Sequence, residues 1–380
     1  MDSIPGQADD PPANVGAPFV LPGAWQNWGE APAGAVLRLD PAAGEIVLEG
    51  EGRELRLLVA NRGVPALLHA ALALHANVPA ATWPGDGGFS GAVKAPAPLL
   101  SGRDEPGTAA ARTVVNGVQH FLANLPAVLA GDVEGVHQLR VAIRRLRTVL
   151  VLFEPCLPPG AAADELDAIL HAFGRTLGGV RDWDVFCVET LPHLPGNGER
   201  AGLEDAAADR RRAARAEAVR GLPDEAVILF ARTAATWAAA ATQTGRGERL
   251  KDVAPALLSR LERKVRRRGR HVAELGITEL HALRRANKKL RYGVEYLRPL
   301  FPGKRVKPFL HACEQLGVSL GAVNDAAHAA AAMANLAAAH PELAKTTELT
   351  VAVLDSRREE AASRARDDWR AWKAAKPFWA

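Results

Sequence analysis

The chain has 380 residues, 48% of them hydrophobic and 24% charged, which excludes global disorder and allows two or three domains with a substantial core. Alanine is frequent and only 5% of the residues are aromatic, a balance that favours helices over sheets. Residues 1–104 carry 6 Lys/Arg against 11 Asp/Glu, whereas the remainder carries 41 against 32. A basic excess confined to one region indicates an anionic partner for that region.

Three widely spaced cysteines, Cys156, Cys187 and Cys313, lack the pairing of a metal site and predict reduced thiols in a cytoplasmic protein. The first residues are acidic and rich in Pro and Gly, so they do not resemble a secretory signal. The alanine-rich stretch over residues 324–340 is interrupted by polar and charged side chains, and no other stretch has the length of a membrane span. We therefore expect no contact with a membrane.

The N-terminal region is predicted to be a tail followed by a few strands. Residues 1–30 are rich in Pro, Gly and Asp, which predicts a disordered tail. Alternating side chains predict a hairpin of residues 36–40 and 45–49, followed by a third strand over residues 54–59. Helical spacing then appears over residues 64–76.

The chain from residue 108 onward is predicted to be helical throughout. It follows a stretch over residues 79–107 that is dense in Pro and Gly and is predicted to be a linker. Clusters of Pro and Gly divide the helical region into roughly eight helices, an ordinary number for packed bundles. These predicted breaks lie at residues 158–160, 192–198, 221–223, 245–247, 276 and 302–303.

Two sequence motifs each occur twice in the helical region. Residues 137–147 (HQLRVAIRRLR) align without gaps on residues 281–291 (HALRRANKKLR), at an offset of 144. Residues 177–182 (LGGVRD) match residues 320–325 (LGAVND) at an offset of 143. Two matched motifs at nearly one offset predict a tandem duplication, and therefore two similar helical bundles that face each other.

The eleven-residue repeats each place basic side chains on one helix face. At about 100° per residue, four basic positions fall within about 80° of arc, beside an apolar stripe suited to a bundle core. Neither segment contains an acidic residue that would offset the repulsion between neighbouring like charges. Arginine suits phosphate because its planar fork donates two parallel hydrogen bonds. The candidate anion-binding residues on these faces are His137, Arg140, Arg144, Arg147, His281, Arg284, Lys288 and Arg291.

Four further basic residues complete the candidate set. Arg145 and Lys289 extend the two faces, and Arg260 and Lys264 belong to a basic stretch that precedes the second repeat. Metal binding by the two histidines is disfavoured because their neighbours on the helix face are cations. No cofactor is expected.

Other features of the sequence favour a binding protein over an enzyme. Asp182 and Asp325 each follow a Leu-Gly pair and are predicted to cap helices. A phosphohydrolase would need an acidic metal cluster or an activated nucleophile, and neither stands out. A nucleic-acid-binding protein is the alternative, but it is disfavoured because the basic helices carry almost no aromatic residues for base stacking, and Tyr292 is the only one inside either motif region.

These motifs resemble the CHAD family, the conserved histidine α-helical domain. The resemblance covers about residues 108–380 and rests on both histidine-led repeats, on residues 177–185 (LGGVRDWDV) and 320–325, and on a C-terminal Trp-x-x-Trp. It implies a mainly α fold of two four-helix bundles related by a pseudo-twofold axis. It also implies non-enzymatic binding of inorganic polyphosphate in a basic groove between the bundles. Some members are associated with polyphosphate or polyhydroxyalkanoate granules, so a scaffold at such granules is a further alternative.

Many members of this family carry a preceding CYTH domain, a triphosphate-binding β tunnel. Residues 31–78 resemble the end of such a domain, with a hairpin, a strand, an Arg-Gly turn and a helix. The ExExK strand of that family is missing, since residues 54–58 read ELRLL, and three strands are too few for a closed tunnel. We therefore expect a small, degenerate α+β remnant without triphosphatase activity.

Overall fold

A computed structural model of the protein describes residues 91–94, 98, 100–157, 160–194, 200–244 and 247–379, together with the backbone of four strands between residues 19 and 58. The strands form one antiparallel sheet in sequential order. They are β1 (Phe19–Val20), β2 (Val36–Asp40), β3 (Glu45–Gly50) and β4 (Arg53–Leu58).

The sheet confirms the predicted hairpin and third strand. In the β2–β3 hairpin Leu39 lies opposite Ile46, and β4 then pairs with β3 so that Leu55 lies opposite Leu48. Strand β1 falls within the predicted disordered tail and pairs with β2, which adds a fourth strand. The helix predicted over residues 64–76 lies outside the described residues. The relationship of this region to a CYTH domain stays a prediction.

Nine α-helices make up most of the described chain after residue 105, which confirms a mainly α fold. No helix within the described ranges is long and apolar enough to cross a bilayer. The nine helices are α1 (Pro106–Leu129), α2 (Val133–Phe153), α3 (Ala161–Val185), α4 (Arg200–Arg220), α5 (Asp224–Thr242), α6 (Leu250–Arg268), α7 (Ile277–Leu297), α8 (Gly303–Ala339) and α9 (Ala344–Ala374).

The prediction of roughly eight helices missed two short breaks. Between α1 and α2, Gly131 has a φ of +80°, and the side chain of Asp132 caps α2 by accepting a hydrogen bond from Glu134 N at 3.0 Å. Between α8 and α9 the chain passes through a 3₁₀ turn, Pro341–Leu343. Neither break contains the Pro-Gly cluster that marked the other boundaries.

The two Leu-Gly motifs lie inside continuous helices, not at turns. Helix α3 continues past Asp182 and then runs into a π-helical turn, Phe186–Thr190, while α8 continues past Asp325 for another 14 residues to Ala339. The capping roles predicted for these two carboxylates are therefore wrong. A glycine costs a helix interior only about 1 kcal/mol relative to alanine, so tertiary packing can override its tendency to end a helix.

The helices pack in two groups that share one hydrophobic core. In the first, Phe121 of α1, Phe173 of α3 and Phe230 of α5 have ring centroids 4.8–5.8 Å apart. In the second, Phe309 of α8 lies 6.1 Å from Trp372 of α9, and α6 and α7 complete the group. Helix α4 packs against α3 and contributes Leu203 to a second, smaller hydrophobic cluster with α8 and α9. Burial of each phenylalanine ring contributes roughly 1.5–3 kcal/mol to stability.

Helices α2 and α7, which carry the two repeats, correspond closely. Each has 21 residues and is followed at once by a 3₁₀ turn, Glu154–Cys156 after α2 and Arg298–Leu300 after α7. They also contact each other, so the repeats lie side by side where the two groups of helices meet. This correspondence is what a tandem duplication predicts, and the pseudo-twofold relation itself stays a prediction.

The segment that precedes α1 is attached to the helices through its backbone. Val93 N donates to Asn124 Oδ1 at 2.9 Å, Asn124 Nδ2 donates to Val93 O at 2.9 Å, and His120 Nε2 lies 3.0 Å from the same carbonyl oxygen. Both α1 side chains are buried. Further along, Leu250 N donates to Asp104 O at 2.7 Å. At its described residues, the predicted linker is therefore packed against the helical region.

The packing of α1 on α5 yields a stability prediction. A Cβ atom at Gly107 would overlap the backbone carbonyl oxygen of Ala241, which cannot turn away as a side chain can. We expect Gly107→Ala to lower the free energy of unfolding by about 1–3 kcal/mol, the usual range for an overpacked site. Gly303→Ala is the matched control, since it also lies in a first helical turn but a Cβ there meets nothing within 4 Å. Equal stability of the two variants in urea denaturation would contradict this packing.

Candidate functional site

A basic cleft opens where α2 meets α7. It consists of three adjoining cavities, all lined by Arg140, Arg144 and His281. The cavity toward α6, here the α6 cavity, has a volume of about 330 Å³ and the α3 cavity one of about 350 Å³. The α8 cavity is smaller, about 180 Å³. The two basic helix faces thus contribute to one continuous site.

Each cavity takes its name from the helix that closes it. Lys264 and Arg268 of α6 line the α6 cavity, whereas the α3 cavity is lined by residues of α3, of which Arg175 is charged. The α8 cavity differs because it contains carboxylates, those of Asp182 and Asp325. The cleft is therefore purely basic on two sides and mixed in charge on the third.

Nine of the twelve candidate residues line at least one of these cavities. Eight come from the two repeats, and one lysine comes from α6. They are His137, Arg140, Arg144, Arg147, His281, Arg284, Lys288, Lys289 and Lys264.

The other three candidates lie away from the cleft. The Nε of Arg145 donates to the hydroxyl of Tyr296 at 3.4 Å, and its guanidinium lies over that ring. Arg291 forms an ion pair with Glu295 at 3.0 Å, and Arg260 forms one at 2.8 Å with the residue that follows α2. Arg145 follows Arg144 directly and is therefore turned by about 100° around the helix. Arg291 lies within the predicted arc but pairs with a glutamate four residues further along its own helix.

Several half-buried cations of the cleft have nitrogen atoms that lack a hydrogen-bond partner. The Nε atoms of Arg140, Arg144 and Arg284 are buried and make no hydrogen bond. Within the described ranges, Arg144, Arg284 and Lys288 form no ion pair. A buried polar group that lacks a hydrogen bond costs about 1–3 kcal/mol, and more when it is charged. An anion in the cleft would supply the missing acceptors.

Burial and mutual repulsion lower the pKa values of these cations. Burial first, and then the charges of Arg284 and Arg144, lower the pKa of Lys288 to about 6. Burial and the neighbouring Arg144 lower the pKa of Arg140 to about 10, and burial also lowers the pKa of His281. The cleft therefore disfavours its own positive charge, and a bound anion would reverse that effect.

Paired glycines in α3 and α8 leave room for paired arginines. A Cβ atom at Gly178 would lie 3.3 Å from Arg140 Nη1, and one at Gly321 would lie 3.8 Å from Arg284 Nε. Arg140 Nη1 also donates to the carbonyl oxygen of Gly174 at 3.2 Å. The two repeated motifs therefore pack against each other in the same way in both copies. The Leu-Gly segment of α3 contacts Arg140 of α2, and the Leu-Gly segment of α8 contacts Arg284 of α7.

Several cleft residues were not among the sequence candidates. In the α8 cavity, His328 Nδ1 lies 3.1 Å from Asp182 Oδ2, and this hydrogen bond raises the pKa of His328. His281 Nδ1 contacts Asn324 Oδ1. The match between the two Leu-Gly motifs was the sequence signal that these parts of α3 and α8 belong to the functional site. Arg268, by contrast, was masked by its position in a run of basic residues.

The cleft can bind an anion with several charges. Its side chains supply many hydrogen-bond donors, and fork-shaped guanidinium groups from two helices can each bind a phosphate oxygen pair. Arg147 is already engaged, since its Nε donates to Asp167 Oδ1 at 2.7 Å and its Nη2 to Asp167 Oδ2 at 3.2 Å. This pair is partly exposed, and such pairs contribute only about 0–1 kcal/mol, so a phosphate group can replace the carboxylate.

The lowered pKa of Lys288 yields a prediction about stability and pH. In the folded protein the pKa of Lys288 is about 6, below its ordinary value of 10.5. The charge of Lys288 therefore lowers the free energy of unfolding by its full amount below pH 6, and by less and less as the pH rises toward 10.5. We expect Lys288→Met to raise the free energy of unfolding by about 1 kcal/mol or more at pH 6, and by less at pH 9.

The measurement is urea denaturation in buffer free of phosphate and sulfate. Lys307→Met, a change at an exposed lysine outside the three cavities, is the control and should alter stability little at either pH. A gain for Lys288→Met that is independent of pH would contradict the assigned titration.

Comparison with curated proteins finds no match. Among solved structures, the CHAD domain from the plant Ricinus communis is similar at 24% identity with a TM-score of 0.69, covering 76% of this chain and 98% of that one. PptA from Streptomyces chartreusis is similar at 18% identity with a TM-score of 0.51, covering 72% and 99%. At these identities the likeness shows the fold. The family model of the CHAD domain matches residues 114–334, more than half of the sequence, so the chain belongs to the CHAD domain family.

Proposed function

We propose that the protein binds inorganic polyphosphate in the cleft between α2 and α7 and does not cleave it. The observation that carries this proposal is the convergence, in the described part of the chain, of half-buried cations without ion pairs from both helices, above all Arg144, Arg284 and Lys288. Membership of the CHAD family is consistent with it. The cost of holding these charges together is recovered when a ligand supplies several negative charges at once.

A linear polyanion suits the shape and the charge of the cleft. Its cavities adjoin one another and share cations, so an extended ligand can contact side chains from α2, α6 and α7 together. Once one phosphate group is bound, the next groups of the same chain engage at high effective concentration. A single small anion could satisfy only a few of these donors.

Polyphosphate is a better candidate than nucleic acid because the described cleft offers no accessible surface for a base to stack on. Single-stranded nucleic acids are usually held through aromatic rings as well as basic side chains. The one aromatic side chain that lines the two basic cavities within the described residues, Tyr292, is 4% exposed, and the guanidinium of Arg291 lies 4.8 Å from its ring centroid. RNA remains the alternative ligand that experiment must compare.

Charge reversal in the cleft should abolish binding. We expect Arg144→Glu combined with Lys288→Glu to lower the affinity for long-chain polyphosphate by more than about a hundredfold, because two attractions become repulsions in a partly desolvated site. Titration calorimetry measures the affinity, and the helical circular dichroism signal should persist because neither side chain belongs to the hydrophobic core.

The matched control is Lys307→Glu combined with Lys345→Glu, which changes the net charge equally at exposed residues outside the cleft. This control should bind nearly as well as the wild type. Equal losses in the two folded double variants would mean that binding depends on overall charge and not on the cleft. RNA that displaces bound polyphosphate at equal phosphate concentration would favour the nucleic-acid alternative.

Bound polyphosphate should remain intact. We expect phosphate release from long chains or tripolyphosphate, with magnesium or manganese present, to stay at the background rate. The reason is that the two purely basic cavities supply cations and hydrogen-bond donors, while the carboxylates of Asp182 and Asp325 lie in the α8 cavity. Turnover that disappears in the Asp325→Asn variant would show instead that the protein is an enzyme.

A further inference from the structure

The cleft has three openings, and a linear ligand can use only two of them. On the basis of the proposed function, we infer that a long polyphosphate chain runs from the α3 cavity into the α6 cavity and bypasses the α8 cavity. On this path Arg175 binds the ligand at the α3 opening and Arg268 binds it at the α6 opening. Neither arginine was among the sequence candidates.

The α3 and α6 cavities form one uninterrupted basic passage. They share five lining side chains, all of them basic, and these come from both repeats. The shared residues are Arg140, Arg144, Arg147, His281 and Arg285. A chain that passes from one cavity to the other therefore stays in contact with cations along the whole junction.

Each end of this passage carries an additional exposed arginine. At the α3 end, Arg175 is exposed and contacts His171, which also lines that cavity. At the α6 end, Arg268 is exposed beside Lys264, and within the described ranges it forms no ion pair. The basic lining thus continues to both openings, where an entering or leaving chain would otherwise meet only water.

The α8 cavity is the least suited of the three to a polyanion because it is the one whose described lining includes carboxylates. Asp182 and Asp325 line it and would repel phosphate groups, and Asp182 Oδ2 lies 3.1 Å from His328 Nδ1. Its own arginine, Arg181, forms an ion pair with Glu189 at 2.9 Å. A phosphate group in this cavity would lie close to both carboxylates, whereas in the other two cavities the charged lining residues are cations.

Three chemically matched substitutions test the path, one at each opening: Arg175→Gln, Arg268→Gln and Arg181→Gln. The measurement is the dissociation constant of the full chain for long-chain polyphosphate and for pyrophosphate over a range of salt concentrations. Each lost phosphate contact should reduce the slope of log affinity against log salt by about 0.7, by analogy with single-stranded nucleic acids. A structural defect without a lost contact would not change this slope.

The expected result is a loss of affinity for the long chain, with a reduced salt slope, in the Arg175 and Arg268 variants and in their combination. Pyrophosphate, which is too short to reach both openings, should bind the combined variant with no more than a small change. Arg181→Gln should leave both the affinity and the slope unchanged.

A reduced slope in Arg181→Gln, or an unchanged one in either end variant, would overturn the path while leaving polyphosphate binding intact. If the wild-type protein does not bind long-chain polyphosphate at all, the proposed function fails before the path is tested. The two failures are therefore distinguishable in the same titrations.

Discussion

Helices α2 and α7 hold guanidinium and ammonium groups side by side, and the rest of the fold has to overcome their repulsion. Elsewhere the chain compensates buried charge, since the fully buried Asp184 accepts hydrogen bonds from Arg211 at 2.6 Å and Arg215 at 2.9 Å. In the cleft, by contrast, Arg144, Arg284 and Lys288 line the cavities without forming an ion pair within the described ranges. The shared hydrophobic core supplies the stability that keeps these charges together, and binding sites commonly carry such a cost.

The packing of α3 and α8 decides how deeply the cations lie. Because Gly178 and Gly321 have no side chains, the arginines of the repeats can lie against the helix backbones, where burial lowers their pKa values. A Cβ atom at Gly178 would approach Arg140 Nη1 closely, whereas one at Gly321 would be in ordinary contact with Arg284. The burial of the two arginines strengthens the field of their charges, because the surroundings have a low dielectric.

The periodicity of apolar residues predicted most of the helices, because neighbouring residues in the sequence decide where a helix with an apolar stripe and Pro-Gly boundaries begins and ends. It also placed His137, Arg140 and Arg144 on a common face. It failed for Arg145, whose partner Tyr296 is 151 residues away in sequence, since no local pattern reveals which neighbour a side chain meets. The Leu-Gly motifs were misread as turns for the same reason: the advantage of glycine there comes from an arginine on another helix.

The attachment of Val93 to α1 bears on where the helical domain begins. Asn124 is fully buried and uses its amide to bind both backbone groups of Val93, so these contacts do not depend on the Val93 side chain. The family match starts at residue 114, more than twenty residues later. A chain shortened to that point would lose the carbonyl oxygen that Asn124 and His120 both contact and the N–H group from which Asn124 Oδ1 accepts a hydrogen bond. A fragment of the helical domain should therefore begin ahead of Val93 if it is to keep these buried hydrogen bonds.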